Sequence, residues 1–295
     1  MKPILIIATG EEKLIPFKKA ARQFKENIFF TTWDKIAILQ SNPNCVLAIN
    51  DNREIDLHDF SLIYIRNVGP NREKMSLVSD YIAKKIPLVD DILRTGGRRD
   101  SKAFQYREFF NAGLPTIPFI YGSLDLILSK SGTFGFPFIL KRSRGQQGKQ
   151  VFLVRSQDQL AGFCQKFKSQ QREGYYFLAQ KFIKNDGDFR LFIIGDNCLG
   201  IMKRTVQKKD EFRNNISLGG KGEQVSLPDK VIDLAIQAAK VSRLDIAGVD
   251  IIIDDEGHPY ILEVNSAPQF NGFQKITGID VAAKIIGFLI KKSRP

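Results

Sequence analysis

An α/β chain of more than one lobe is the fold class that the sequence predicts, on three observations. Between Pro3 and Val89, apolar strand-like runs alternate with amphipathic helical stretches, which argues for a parallel sheet. From Phe134 onward the signals turn toward strands joined by short polar turns, which argues for hairpins. At 295 residues the chain is too long for one small core and suits two or three compact lobes.

The elements follow in order. Pro3 to Ala8 is a buried-strand pattern, and Glu12 to Glu26 an amphipathic helix interrupted near its start by Pro16. Phe60 to Asn67 (FSLIYIRN) reads as a strand, and Arg66 at its C-terminal end stands where ligand crevices form in parallel sheets. Met75 to Lys85 reads as a helix and Ile86 to Val89 as a strand; Thr95 to Asp100 (TGGRRD) is a linker. Ser101 supplies an N-cap, Gly113 a stop and Pro115 a barrier just beyond, so Lys102 to Ala112 is a helix delimited at both ends. Pro137 to Ser143 (PFILKRS) and Gln150 to Val154 are strands flanking the loop Arg144 to Lys149 (RGQQGK). Gln157 to Gln170 reads as a helix, Tyr175 to Ile183 as a strand, and Asp188 to Arg204 as a hairpin turning near Asp196-Asn197. Lys230 to Arg243 and Asp280 to Lys291 are helices by apolar spacing.

Composition narrows the function. The chain is 43% hydrophobic and 26% charged, an ordinary globular balance. No apolar run approaches the roughly 20 residues of a membrane span. The short run MKPILIIATG is followed at once by Glu11, Glu12 and Lys13, so a buried first strand explains it better than a signal peptide. Cys45, Cys164 and Cys198 lack paired spacing and nearby histidines, which disfavours disulfides and zinc and makes a reducing cytoplasm the expected location. The net charge of +12 implies anionic partners: a nucleoside triphosphate, an acidic peptide or a nucleic acid. The basic residues are dispersed and no nucleic-acid motif appears, which weakens the last reading.

The most informative stretch is Val249 to Pro268, VDIIIDDEGHPYILEVNSAP. It reads as two apolar strands joined by Asp255-Glu256-Gly257-His258. Folding it between Glu256 and Gly257 sets Asp250 opposite Glu263, with Asn265 two residues on, on the same face. Two opposed carboxylates repel, and a hard cation between them reverses the sign. Oxygen ligands of this kind suit Mg²⁺ that keeps waters and shares substrate phosphates. A solvated hairpin edge with unrelated charges is the alternative.

Three other constellations stand out. Gly145 and Gly148 let the backbone of the RGQQGK loop approach a phosphate, with Lys141 or Arg142 facing inward; a plain hairpin fits equally. Ala179 to Ile183 ends a strand in polar residues that suit a purine edge, with Asp188 nearby, although a core strand with a turn fits as well. Lys203, Arg204, Arg213, Asn214 and Asn215 cluster in sequence as phosphoryl-transfer donors do, before a Gly219-Gly220 loop suited to closure; a charged surface loop is the alternative.

Taken in order, Lys102, PFILKRS with its glycine loop, AQKFI, DFRLFIIGD, FRNNISLGG, AGVDIII, ILEVNSAP and NGFQKITGIDVAAKII resemble the ATP-grasp superfamily, and more closely its RimK-like branch of α-glutamate and carboxylate–amine ligases. The resemblance runs from about Ser101 to the C-terminus. It implies an ATP-grasp fold behind an N-terminal pre-ATP-grasp parallel α/β domain, with boundaries 1–98, 99–180 (small lobe with the glycine loop) and 181–295 (large lobe with the Mg²⁺ site). It implies ATP and Mg²⁺, with Mn²⁺ as a substitute, held by Asp250, Glu263 and Asn265. Lys102 and Lys141 match phosphate-binding lysines. Gln180, Lys181, Phe182 and Ile183 match the adenine strand, and Asp188 the acidic residue near the ribose. Arg213, Asn214 and Asn215 match the segment beside the phosphates, and Arg204 a basic residue beside an acyl phosphate, so Arg204 and Arg213 carry the catalytic expectation. The implied activity is amide formation through an acyl phosphate, adding glutamate or another amino acid to an acidic peptide or protein end, with homo-oligomers common among relatives. Two departures are present: Lys181 stands where relatives usually have Glu, and Ser101 where Asp is common. The rival expectations are a nucleotide-binding module of this fold without ligase activity, and a nucleic-acid-binding protein.

Overall fold

The computed structural model describes residues 2–40, 45–49, 53–82, 85–95, 101–142, 151–168, 176–205 and 221–294. The chain begins with β1 (Ile4–Ala8), α1 (Glu11–Ala21) and β2 (Ile28–Thr32), and continues through β3 (Ile36–Gln40), β4 (Cys45–Ile49), β5 (Arg53–Ile55), β6 (Leu62–Ile65), α2 (Arg72–Ile82) and β7 (Leu88–Val89). Strands β2-β1-β6-β7 form a parallel sheet in that order. All five residues of β1 are buried, as the unbroken apolar run requires of a strand covered on both faces. The antiparallel ribbon β3-β4-β5 is an addition that the sequence pattern did not reveal. Helix α1 stops at Ala21, short of the expected Glu26, and Phe24 and Ile28 beyond it pack on the core. Pro16 lies inside α1 at the loss of the single bond to the Glu12 carbonyl.

Next come α3 (Lys102–Asn111), β8 (Phe119–Gly122), α4 (Leu124–Ser129), β9 (Phe138–Arg142), β10 (Val151–Val154), α5 (Gln157–Phe167) and β11 (Phe177–Lys181). The Ser101 hydroxyl accepts from the Phe104 N–H at 3.1 Å, and Gly113 takes φ +70° just past the helix, so α3 has the caps its sequence predicts. Strands β10-β9-β11-β8 form an antiparallel sheet, and Leu124, Ile127, Leu160 and Phe167 cover it. β8 and α4 were not anticipated; the runs are too short to show a period. The loop Arg144 to Lys149 and most of the 95–100 linker lie outside the described residues.

The remaining elements are β12 (Asp188–Ile194), β13 (Asn197–Thr205), β14 (Lys221–Val225), α6 (Asp229–Val241), β15 (Ile246–Ile253), β16 (Pro259–Asn265), α7 (Asn271–Thr277) and α8 (Val281–Lys292). Strands β14-β13-β12-β15-β16 form an antiparallel sheet. Alternation sorts its residues. Leu191, Ile193, Val249 and Ile251 pack with α6, whereas Phe192, Met202 and Ile246 pack on the opposite face with α8 and the first sheet. One apolar core thus joins the parallel sheet to the large antiparallel one. No helix among the described residues is long and apolar enough to cross a membrane.

A single carboxylate also bridges these two sheets. Asp90, directly after β7, accepts hydrogen bonds from the N–H groups of Asp245 (2.7 Å) and Ile246 (2.9 Å) at the start of β15. Burial pushes its carboxyl from the usual range up to about 8, against the pull of those N–H groups. A carboxyl raised on folding contributes stability in full below its unfolded value and loses it as pH rises through the folded one. The melting temperature of the wild type is therefore expected to fall relative to that of Asp90→Asn between about pH 5 and pH 8.5. Parallel melting curves across that range would show that Asp90 ionises without cost.

Candidate active site

The site is built on one face of the large sheet by cross-strand pairs. Asp188 and Arg190 are two apart on β12 and project together. Arg190 lies directly opposite Asp250 and grips it with both arms, Nε to Oδ1 at 2.7 Å and Nη2 to Oδ2 at 2.6 Å. Asp188 lies opposite Arg204 on β13 and accepts from its Nε at 2.5 Å, and the Arg204 Nη2 reaches Asp250 Oδ2 at 3.0 Å. On the other side of β15, Asp250 is paired with Glu263, Val249 with Val264 and Gly248 with Asn265. Closer to the turn the register differs by one residue, with Ile251 opposite Ile261, so Leu262 is an extra residue. That bulge restores the Asp250–Glu263 pairing, whose two carboxylates share a face.

Helix α3 supports this face from the edge of β16. The Gln105 amide completes the unpaired edge, Nε2 donating to the Val264 carbonyl at 2.9 Å and Oε1 accepting from its N–H at 3.2 Å. One residue on, the Tyr106 hydroxyl donates to the carbonyl of the bulged Leu262. Three residues before Gln105 on α3, Lys102 donates to Glu263 Oε2, and Asn265 Nδ2 donates to Glu263 Oε1 at 3.1 Å. Opposite, on β9, Lys141 donates to Gln180 Oε1 at 2.8 Å, so the small antiparallel sheet supplies the other wall.

Charge at this site is concentrated and nearly matched. Asp250 is 3% exposed; burial alone raises its carboxyl, but the Arg190 and Arg204 guanidinium groups outweigh that and hold it well below the usual range. Burial also raises Glu263, and Lys102 overcomes it to leave a net lowering, even with Asp250 beside it. Burial pushes Asp188 up against the pull of Arg204. Burial and the neighbouring Lys102 bring the Lys141 ammonium down to about 8.

The donor set fits a hard divalent ion. Two carboxylates from adjacent strands meet on one face, and the Asn265 amide turns Nδ2 to Glu263 and Gly248, leaving its oxygen without a hydrogen-bond partner among the described residues. Lys102, Arg190 and Arg204 are the cations that neutralise the carboxylates in the protein alone.

Of the residues singled out in the sequence, Lys102, Lys141, Gln180, Arg204, Asp250, Glu263 and Asn265 are linked in this one network. Asp188 joins it too, its buried carboxylate accepting from the Arg204 guanidinium. Lys181 ends β11, its N–H donating to the Pro118 carbonyl at 3.3 Å, and Phe182 and Ile183 follow the strand. Arg213, Asn214 and Asn215 lie outside the described residues. Sequence reasoning missed Arg190, Gln105 and Tyr106. For Arg190 a signal existed: in DFR, Asp188 and Arg190 share a face of a strand whose partner carries Asp250.

The architecture is the ATP-grasp fold. A RimK domain ATP-grasp protein from Sphaerobacter thermophilus has a similar structure, with a TM-score of 0.70 at 18% identity, covering 98% of this chain and 99% of that one. A RiPP-associated ATP-grasp ligase from Chryseobacterium gregarium, solved with ADP and a leader and core peptide, matches with a TM-score of 0.76 at 15% identity, over 100% and 98%. Residues 122–289 match the RimK-like ATP-grasp domain. A probable alpha-L-glutamate ligase of Cellvibrio japonicus (strain Ueda107) is 31% identical over 227 residues, 75% of this chain and 73% of that protein. The chain belongs to the RimK-like ATP-grasp family, and it is a ligase.

The Arg190–Asp250 fork is part-buried, with Asp250 the deeper partner, and removing one partner of a fully buried pair costs about 3–5 kcal/mol, which sets the upper bound here. Arg190→Leu is expected to lose stability up to that amount in denaturant titration, and Arg190→Lys less, because an ammonium keeps the charge but not the fork. An unchanged unfolding midpoint in Arg190→Leu would remove the fork from the forces that hold Asp250.

Proposed function

We propose that the protein is an ATP-dependent carboxylate–amine ligase that adds an amino acid, glutamate foremost, to an acidic peptide or protein end. The observation that carries this reading is the pair Asp250 and Glu263, opposed on one face with Asn265 beside them and Lys102 and Lys141 in the adjoining wall. The relatives named alpha-L-glutamate ligases and the peptide-bound fold neighbour support the substrate class, as does the net charge of +12. The reading divides the chain into lobes 1–98, 99–180 and 181–295, with ATP at the junction of the latter two.

Asp250, Glu263 and Asn265 would hold Mg²⁺, which supplies a Lewis-acidic centre for the phosphates. Lys141 and Lys102 would bind phosphate oxygens and neutralise the charge that moves toward ADP. Gln180 fixes the Lys141 ammonium through its Oε1, so the cation arrives oriented. Arg190 and Arg204 keep Asp250 ionised and immobile. A carboxylate oxygen of the substrate attacks the γ-phosphorus as the bond to the ADP oxygen breaks, giving an acyl phosphate. An amine then attacks the acyl carbon, phosphate leaves and an amide remains. The chain contributes positioning and electrostatics rather than a covalent intermediate.

Glu263→Gln removes one anionic oxygen at nearly constant volume. Loss of one stabilising group of this kind costs about 3–4 kcal/mol, so acceptor-dependent ADP release should fall by roughly 10²–10³ or more while the melting temperature stays near that of the wild type. Full turnover in that variant contradicts the role given to Glu263. Lys141 is charged below about pH 8 and neutral above it. ATP affinity of the free protein should therefore weaken from pH 7 to pH 9, and the Lys141→Gln variant should show weak binding with a flatter profile; parallel profiles would exclude Lys141 from phosphate binding.

A further inference from the structure

The carboxylates of the site each have their own cation: Asp188 has Arg204, Asp250 has Arg190 and Arg204, and Glu263 has Lys102. Two cations around this face remain without a carboxylate among the described residues. Lys141 is one, and the triphosphate accounts for it. Arg66 is the other.

Arg66 follows β6 at the C-terminal end of the parallel sheet, where ligand crevices open in such folds. It is 7% exposed. Its Nη2 donates to the Pro268 carbonyl at 2.8 Å, and its guanidinium carbon lies 5.3 Å from the centre of the Phe270 ring. Pro268 itself lies over the ligand face: a Cβ placed on Gly248 would come within 2.8 Å of the Pro268 ring and 3.7 Å of Arg190 Nε. Arg66 therefore reaches the same face as Asp250 from the opposite lobe, three residues along the chain from Asn265 through its contact with Pro268. A guanidinium has five donors, and a buried one is costly unless an anion or full hydrogen bonding compensates it. A carbonyl, an aromatic face and the neighbouring Tyr64 hydroxyl are neutral partners, and none of them compensates the charge. Asp90, the buried carboxyl near this lobe junction, accepts from the N–H groups of Asp245 and Ile246 instead.

Resting on the ligase reading above, we propose that Arg66 binds a carboxylate of the substrate that does not react, and so selects an acidic amino acid or peptide end. A carboxylate held in an arginine fork has its oxygen lone pairs engaged and makes a poor nucleophile, so the oxygen that attacks phosphorus is not the one Arg66 holds. Pro268 and Gly248 separate the guanidinium from Asp250, which sets the bound carboxylate apart from the reacting centre.

The test is calorimetric titration of L-glutamate and of tetra-L-glutamate into the full chain, with Mg²⁺ and a non-hydrolysable ATP analogue present. The wild type should bind at least one of them. Arg66→Gln should weaken that binding on the order of 10- to 100-fold, and Arg66→Lys by less, with affinity for the ATP analogue unchanged within about twofold. Equal affinity in wild type and Arg66→Gln overturns the proposal, as does a wild type that binds neither probe. Joint loss of analogue binding and melting temperature in both variants also overturns it, since Arg66 would then only fasten Pro268 and Phe270. Failure of the ligase reading shows differently: the wild type would bind no ATP analogue and release no ADP, while the two acidic probes, titrated into the protein alone, would still decide what Arg66 holds.

Discussion

Two carboxylates forced onto one face of a sheet, one of them buried and the other partly so, are the constraint around which this protein is arranged. Side by side, Asp250 and Glu263 repel, and burial raises the energy of their ionised forms. Three cations offset both effects, and each comes from a different element: Arg190 from β12, Arg204 from β13 and Lys102 from α3. The large sheet and its edge helix are thus tied together by the need to neutralise one small region. The same ion pairs that make the folded chain tolerable also fix the carboxylates in place on that face.

The edge of the sheet shows how local chemistry meets that constraint. β16 is an outer strand, and an unpaired edge beside a charged site would admit water and competing strands. The amide of Gln105 imitates the missing strand at Val264, and Tyr106 takes the carbonyl that the Leu262 bulge leaves over. Because Lys102 is on the same helix, the contacts that close the edge also aim a cation. Structure and chemistry share the helix.

Much of this was legible in the sequence. The unbroken apolar run of β1 announced a strand buried on both faces, and Ser101 with Gly113 bounded α3 to within a residue. Opposition of Asp250 and Glu263 followed from folding the hairpin, although the actual turn would have displaced it without the bulge. Other features were invisible for physical reasons. β3 to β5, β8 and α4 are too short to show a period, and whether they form is decided by the cores they cover. Side-chain pairings such as Gln105 with Val264 link positions 159 apart, which no local pattern encodes. Arg190 was overlooked because a charged residue in an apolar strand reads as its solvent side until the neighbouring strand is known. The Asp188–Arg204 pair was hidden for the same reason, since the sequence does not disclose that Arg204 stands opposite.

The bulge at Leu262 makes strand length itself part of the chemistry. Side chains on β16 alternate, so the count of residues between the turn and Glu263 decides which way that carboxylate points. With one residue fewer, Leu262 would stand across from Asp250 and the acid would turn into the apolar layer beneath α6. Substitutions at the hairpin tip leave this parity intact, whereas any odd insertion or deletion along either arm reverses it. Drift in this family member is therefore free to change letters at the tip but not the number of residues along either arm.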